Sequence, residues 1–429
     1  MQFRYNGIMF KSVLSTATFK QSQITILGTI INGILGGAFY ILMARYLGPS
    51  DFGLLIVSIT TLTLIADIVD FGTNTGLVRH VSSSLKLDKE KSFKFLKLAI
   101  EFKLAVWILV LLIGFFLTPL IAKNIFNKEA LITPLRLVMV GVGGALFFSF
   151  ASSALQALQR YFIWSVVNIA VNLLRLFFIF ILFASGGMNL FSGLALYIVM
   201  PFLGFSTALL FLPVKRILFI KNELSVAKQF FHYNFWVAVF TIIAAISARL
   251  DTFLSARLLT GFELGLYGAA TQLVAVIPQL NSALGVVVAP KFASFQNDNQ
   301  MITYLKKIQL LVSGFVCSGL LLIPLAVYLI PIIFGQQYTQ AIIPFIILFI
   351  AMLIFLFSLP IHASIIYYFA KPKVFVWVSI GHLLIIGSLG YFLIANYGIT
   401  GAAVSVLIGM VFNFLLPLTW LLLKIWKKR

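Results

Sequence analysis

The sequence predicts an all-α integral membrane protein with about twelve transmembrane helices, arranged as two pseudo-symmetric six-helix lobes around a central cavity. Three observations carry this expectation. Apolar runs of membrane-spanning length follow one another almost without interruption, Lys and Arg are concentrated in the termini and alternate loops, and a turn motif recurs half a chain later.

Hydrophobic residues make up 61% of the 429, charged residues 10%, and the mean hydropathy is +1.08. A bilayer core about 30 Å thick takes roughly 20 residues of helix, at about 1.5 Å per residue. The runs are continuous rather than alternating, which excludes barrel strands, and in lipid only a helix satisfies its backbone within one segment.

Taken in order, residues 1–23 carry Arg4, Lys11 and Lys20 without the apolar run of a cleavable signal peptide, and are expected to remain as a cytoplasmic N-terminal segment. Six spans follow at roughly 24–44, 52–72, 96–118, 135–158, 164–184 and 190–212, an N-lobe over 24–212. A cytoplasmic basic linker at 213–232, with Lys215, Arg216, Lys221 and Lys228, leads to the C-lobe at 233–423. Its spans fall at roughly 233–256, 264–287, 308–331, 341–362, 374–394 and 400–423, before a basic cytoplasmic tail at 424–429.

The net charge of +20 raises the question of nucleic acid, but the placement of the charge answers it. About 23 of the 31 Lys and Arg lie in the termini and one set of alternate loops, about four lie in the opposite loops, and Lys103, Arg136, Arg175 and Arg249 lie within spans. The positive-inside rule then puts both termini in the cytoplasm, which requires an even number of spans across the cytoplasmic membrane. These basic loops are short and lack the interleaved aromatics that stack bases, so no nucleic acid is expected.

Cys317 is the single cysteine, and no metal-ligand spacing joins it to the four histidines. No phosphate-binding GxxxxGK[ST] loop is present and no cofactor is expected, so uphill transport would draw on a proton or sodium gradient, a partner ATPase or the substrate's own gradient. No loop clusters the acids a metal-dependent sugar or phosphosugar transferase needs, and the chain is not expected to be an enzyme.

The stretch Met43 to Leu55 reads MARYLGPSDFGLL, and Leu254 to Ala270 reads LSARLLTGFELGLYGAA. Aligning Arg45 with Arg257 also pairs Leu47 with Leu259, Asp51 with Glu263, Gly53 with Gly265 and Leu54 with Leu266, an offset of 212. The same offset brings Arg79 onto Lys291 and Pro119 onto Pro331. A repeat of six spans is parallel in topology, and two such lobes place a substrate path between them. Within the turn, Gly48-Pro49 ends one helix, Asp51 favours the start of the next, and Gly53 permits close backbone approach. Arg45 and Arg257 either snorkel to headgroups and cap last-turn carbonyls, or contact substrate.

The strings ARYLGPSDFGLL, DIVDFGTNTGLVRHVS and RLDTFLSARLLTGFELGLYGAATQL resemble the Wzx-type polysaccharide flippases of the multidrug/oligosaccharidyl-lipid/polysaccharide exporter superfamily. The second resembles that family's D-x-G…R-x-x-S segment through Asp70, Gly72, Arg79 and Ser82, and the third its L-D…LG-x-Y-x-A-A segment through Asp251, Gly265, Tyr267, Ala269 and Ala270. The resemblance covers nearly the whole chain. It implies a carrier for undecaprenyl-pyrophosphate-linked oligosaccharide repeats in O-antigen or other surface polysaccharide synthesis. It also implies membrane lipids around the carrier, with a polysaccharide polymerase and a chain-length regulator as possible partners.

Such a substrate asks for cations deep in the membrane. Arg175, inside NIAVNLLRLFFIF, and Arg249, beside Asp251, are expected in the interlobe cleft, or else paired with Asp251 as a helix clamp. Asp67, Asp70 and Asp251 are the intramembrane acids, and Asp67 and Asp70 share a helix face, so these are the ion-coupling candidates. Asp70 has a second reading, at the external end of its helix or as an ion-pair partner of Arg79. Asn32, Asn168, Asn172, Gln272, Gln279, Asn281 and Asn413 either meet glycan hydroxyls or join helices. Gly33 and Gly37 are expected at a close helix contact, and Pro278 and Pro324 at hinges. A multidrug efflux carrier of the same superfamily is the alternative, and it would favour acids and aromatics over the Arg residues found here.

Overall fold

A computed structural model describes residues 17–426 apart from Lys86, and without the side chains of 17–24, Ile26, Phe240 and Val286. Of the expected N-terminal segment, residues 1–16 fall outside the described residues and 17–23 already belong to the first helix. The last three residues of the basic tail also fall outside. Among the described residues every element is helical, and ten helical runs are long and apolar enough to cross a membrane.

Two of these runs are too long for one crossing. Leu27–Val69 has 43 residues and Lys373–Trp426 has 54, against roughly 20 per crossing. Each contains a glycine outside helical geometry, Gly48 at φ 72°, ψ 170° and Gly398 at φ 59°, ψ −138°. At positive φ a glycine turns the chain without the strain a Cβ would bring. The helices are α1 Ala17–Val69, with arms 17–47 and 49–69, then α2 Thr73–Ser84, α3 Lys89–Leu120, α4 Ile132–Ala157, α5 Tyr161–Ala184, α6 Leu190–Leu209 and the short α7 Val214–Phe219. The second half holds α8 Leu224–Ser247, α9 Leu250–Leu258, α10 Gly261–Val274, α11 Val276–Ala293, α12 Asp298–Leu322, α13 Ala326–Phe334, α14 Ile342–Ala363, α15 Lys373–Leu384 and α16 Tyr391–Trp426.

Several boundaries differ from those expected. Within 213–232, the segment expected as a basic linker, α7 and the first turns of α8 occupy most of the residues. The seventh span breaks at Ala248–Arg249, and Pro278, which cannot donate to the carbonyl of Val274, follows a break at Ala275. Pro324 sits in a tight helical turn, Ile323–Leu325, within the eighth run. The first run ends at Val69, after which Phe71 and Gly72 take φ values of 51° and 68° before α2 begins.

The core lies where the two halves of the chain meet. One buried cluster unites Phe39, Met43, Phe52 and Leu194 with Leu266, Ile330 and Tyr338, and a second unites Val57, Phe126 and Leu135 with Leu264, Tyr267 and Ile386. In lipid such contacts gain little from leaving water, so they hold through close packing, which is why small residues sit at the crossings.

Candidate functional site

The two copies of the repeated turn pack against each other. A Cβ on Gly53 would fall 2.2 Å from the carbonyl oxygen of Gly261 and 2.7 Å from the nitrogen of Gly265, and one on Gly265 would fall 1.9 Å from the carbonyl oxygen of Pro49. Two aligned glycines therefore let two helix starts touch backbone to backbone. Thr260 and Glu263 close a capping box around the start of α10, at the position where Gly48 and Asp51 stand in the first copy.

Further contacts finish this seal. Arg257 donates to the carbonyls of Asn124 (2.7 Å) and Ile125 (3.1 Å), and Lys128 to the carbonyl of Ala256 (2.8 Å). The Tyr338 hydroxyl donates to the carbonyl of Ala44 (2.8 Å), and Phe126 stacks on Phe253 at 5.7 Å. Arg257 thus caps carbonyls across the halves, while its repeat mate Arg45 is exposed.

Below the seal the halves are bridged by charge. Arg249 donates to Asp67 at 2.6 Å, with the Asp67 side chain 52% exposed and that of Arg249 23%. A half-exposed carboxylate within an apolar run is rare, and this one stands where the two halves meet. Arg249 does not pair with Asp251, which instead accepts from the buried Tyr267 hydroxyl at 2.5 Å. Those two residues share neighbouring turns of the second half, and Tyr267 is buried because its ring fills the packing between α10 and α14 to α16.

The repeat offset places Gln279 opposite Asp67 and Gly37 opposite Arg249. The mate of the charged bridge is a neutral crossing, where a Cβ on Gly33 would meet Gln279 Oε1 at 2.0 Å. Gly37, expected at the close contact, has nothing within 4 Å, so only Gly33 makes the crossing. Beyond it Leu27, Ile30 and Ile31 on α1 and Leu280 and Val287 on α11 are exposed. On the opposite flank α8 zips onto the first half. Gly72 lies against Val237, Gly76 against Asn234, and His80 between the rings of Phe95, Phe230 and Tyr233.

Two other predicted residues stay inside the first half. Asp70 does not pair with Arg79, whose guanidinium lies 4.3 Å from the centroid of the Tyr233 ring. It pairs with Lys103, whose side chain is 0% exposed, and also accepts from the Thr73 hydroxyl at 2.9 Å. Arg175 packs over Tyr197 (4.7 Å) and Phe39 (5.2 Å) and donates to Asn172 at 3.3 Å, and Asn172 donates to Asn32 at 3.0 Å. Every one of those partners belongs to the first half. Lys103 is the residue sequence reasoning passed over. It was visible as a lone cation in a span, but its partner lies 33 residues away on another helix.

Two helical halves, sealed at the turn end and bridged by charge beneath the seal, form a multi-pass membrane transporter fold. The chain belongs to the family described as "Polysaccharide biosynthesis protein", whose profile matches residues 42–343. A "Putative O-antigen transporter" of Shigella flexneri is 25% identical over 205 residues. That match covers 45% of this chain and 46% of the relative, so it spans about half the relative's length. Among solved structures, the lipid II flippase MurJ in an inward closed conformation aligns with TM-score 0.75 and 16% identity, over 92% of this chain and 87% of that one. A multidrug resistance MATE family transporter in an inward-facing conformation aligns with TM-score 0.75 and 11% identity, over 93% and 97%. At these identities the two structures bear on the fold, and the fold is shared by flippases and exporters.

Proposed function

We propose that the protein is a flippase that carries undecaprenyl-pyrophosphate-linked oligosaccharide repeats across the cytoplasmic membrane by alternating access between two six-helix lobes. In this proposal Gly48 and Gly398 divide the two long runs, giving twelve spans, and the basic end with both termini faces the cytoplasm. The observation that carries the proposal is the Asp67–Arg249 bridge, a charged pair that joins the two halves with its carboxylate half exposed.

An anionic pyrophosphate competes with Asp67 for Arg249, because both offer oxygen acceptors to one guanidinium. Displaced from Arg249, Asp67 becomes a lone acid in the membrane and the place for a coupling proton or sodium ion. Opening the outer face then requires Gly53 and Gly265 to part, while α8 and α2 keep the other flank closed. Substrate drives this only if it binds the two openings unequally. Arg175, boxed by aromatics, would serve from within the first lobe, Asp70 would work through Lys103, and Asp251 through Tyr267. Export of organic cations would ask Asp67 to be free, and the arginine at 2.6 Å disfavours it.

The test is translocation of an undecaprenyl-pyrophosphate-linked oligosaccharide in proteoliposomes, scored by access of an added glycosidase. Wild-type flipping that Arg249→Ala loses is the expected result. No wild-type flipping, together with export of a cationic dye down an ion gradient, would assign the protein to the efflux class instead.

A further inference from the structure

At the basic end of the second half, α11 and α12 flank an open, shallow groove of about 410 Å³ lined by Lys291, Phe295, Asn299, Gln300, Tyr304 and Lys307. Its floor is aromatic. Tyr304 lies 5.2 Å from Phe292 and 5.3 Å from Phe295, centroid to centroid, and the Lys291 ammonium sits 5.5 Å from the centre of the Phe295 ring. Among the described residues neither lysine has a carboxylate within ion-pair distance. The acid beside them, Asp298, accepts from the Tyr368 hydroxyl at 2.5 Å.

The repeat shows what this place looks like when it is structural. The offset of 212 pairs Lys291 with Arg79, Tyr304 with Ser92 and Lys307 with Phe95. In the first half the corresponding space is packed shut. Arg79 is exposed but lies over the Tyr233 ring, Phe95 is 1% exposed and stacks on His80 at 4.8 Å, and the Ser92 hydroxyl lies 2.9 Å from that of Ser84. The second half has a lysine where the first has that buried phenylalanine, and a groove where the first has a core.

We propose that this groove binds the phosphate of an anionic headgroup. Two unpaired ammonium groups on flexible stems supply the charge, and the Asn299 and Gln300 amides and the Tyr304 hydroxyl supply hydrogen bonds to phosphate oxygens. The headgroup comes either from a polyprenyl pyrophosphate or from an anionic phospholipid. The first source deepens the flippase proposal and rests on it, since the groove lies at the basic end of α11, the helix whose Gln279 crosses to α1. The second source does not depend on it.

The experiment is thermal unfolding of the full chain in detergent, titrated separately with inorganic pyrophosphate, farnesyl pyrophosphate and a short-chain phosphatidylglycerol. Saturable stabilisation by at least one probe is expected. The pair Lys291→Ala/Lys307→Ala should weaken that apparent Kd roughly tenfold or more, as loss of two membrane-surface cations implies. Lys291→Gln/Lys307→Gln should do the same if the alanine pair fails to fold. Lys371→Ala/Lys373→Ala, in the separate groove beside Trp377 and Trp420, should leave it unchanged. Binding of the pyrophosphates but not the phospholipid identifies the polyprenyl source, and the reverse identifies the lipid source. No stabilisation by any probe, or an unchanged Kd in the lysine pair, overturns the proposal. Because binding is read without transport, a chain that binds the headgroup and flips nothing would overturn the flippase reading alone.

Discussion

Gly265→Ala tests whether the two turns form a gate. The added methyl would lie 1.9, 2.6 and 2.7 Å from the carbonyl oxygen, carbonyl carbon and Cα of Pro49, all backbone atoms that no rotamer change can move aside. Overpacking of this kind costs about 1–3 kcal/mol, and alanine returns up to about 1 kcal/mol through its better helix propensity. The propensity gain is common to both states of the seal, so about 1–3 kcal/mol falls on the sealed state alone and shifts a two-state equilibrium towards the open seal by roughly 5- to 150-fold. The assay is a spin-label distance measurement between Glu129→Cys and Asn396→Cys, in a Cys317→Ser background. Glu129 and Asn396 are exposed on opposite halves. The long-distance population should rise in Gly265→Ala. It should not rise in Gly285→Ala, where a Cβ meets nothing within 4 Å, nor by more than a small fraction in Gly33→Ala, where the obstacle is the mobile end of Gln279. An unchanged distance distribution with unchanged thermal stability in Gly265→Ala would refute the reasoning.

Further outcomes follow from the charged pairs. Lys103→Met should destabilise the chain by about 3–5 kcal/mol, since it strands the Asp70 carboxylate, whereas Lys103→Met/Asp70→Leu should recover most of that loss in a chemical denaturation series. The half-exposed Asp67–Arg249 pair should show a coupling of only about 0.2–1 kcal/mol in a double-mutant stability cycle, with a far larger effect on flipping; a coupling above that range would make it a structural clamp. The Ser225 hydroxyl and then the Lys94 ammonium hold the Glu223 carboxyl below the usual carboxylate range. Its contribution to stability is therefore full above an unfolded-state value of about 4.3 and is lost as pH falls through the lower folded value, so Glu223→Gln should flatten the acid limb of a stability profile.

Much of the fold was legible because lipid imposes one rule per span, and a break shows as Gly, Pro or charge. The repeat was legible because its aligned glycines, Gly53 and Gly265, each stand against backbone of the other copy, where a Cβ would not fit. What the sequence hid was partnership across helices. Arg249 stands two residues from Asp251 but bonds to Asp67, 182 residues away, because those neighbours leave their helix in different directions. Arg175 looked like a cavity cation by depth alone, and its aromatic box comes from α1 and α6, whose packing the sequence does not display. Lys103 was likewise visible and unassigned until α3 was laid against the end of α1.

The placement of α8 separates two boundaries that a duplicated chain would be expected to share. By sequence the second copy begins near the basic segment, yet that segment is fastened to the first half. Glu223 meets Lys94 at 2.9 Å, Lys97 donates to the carbonyl of Ile220 at 2.7 Å, and Asn222 donates to Glu101 at 2.7 Å. The basic-end part of α8 lies on α2 and α3, and only near Ser247, which meets His382 at 3.0 Å, does it join its own copy. The first copy therefore carries a helix of the second as cargo, and a rocking motion would flex at the Ala248–Arg249 break. The residue that starts the moving part is then the one that holds Asp67, which makes the pivot and the charged contact a single place in the chain.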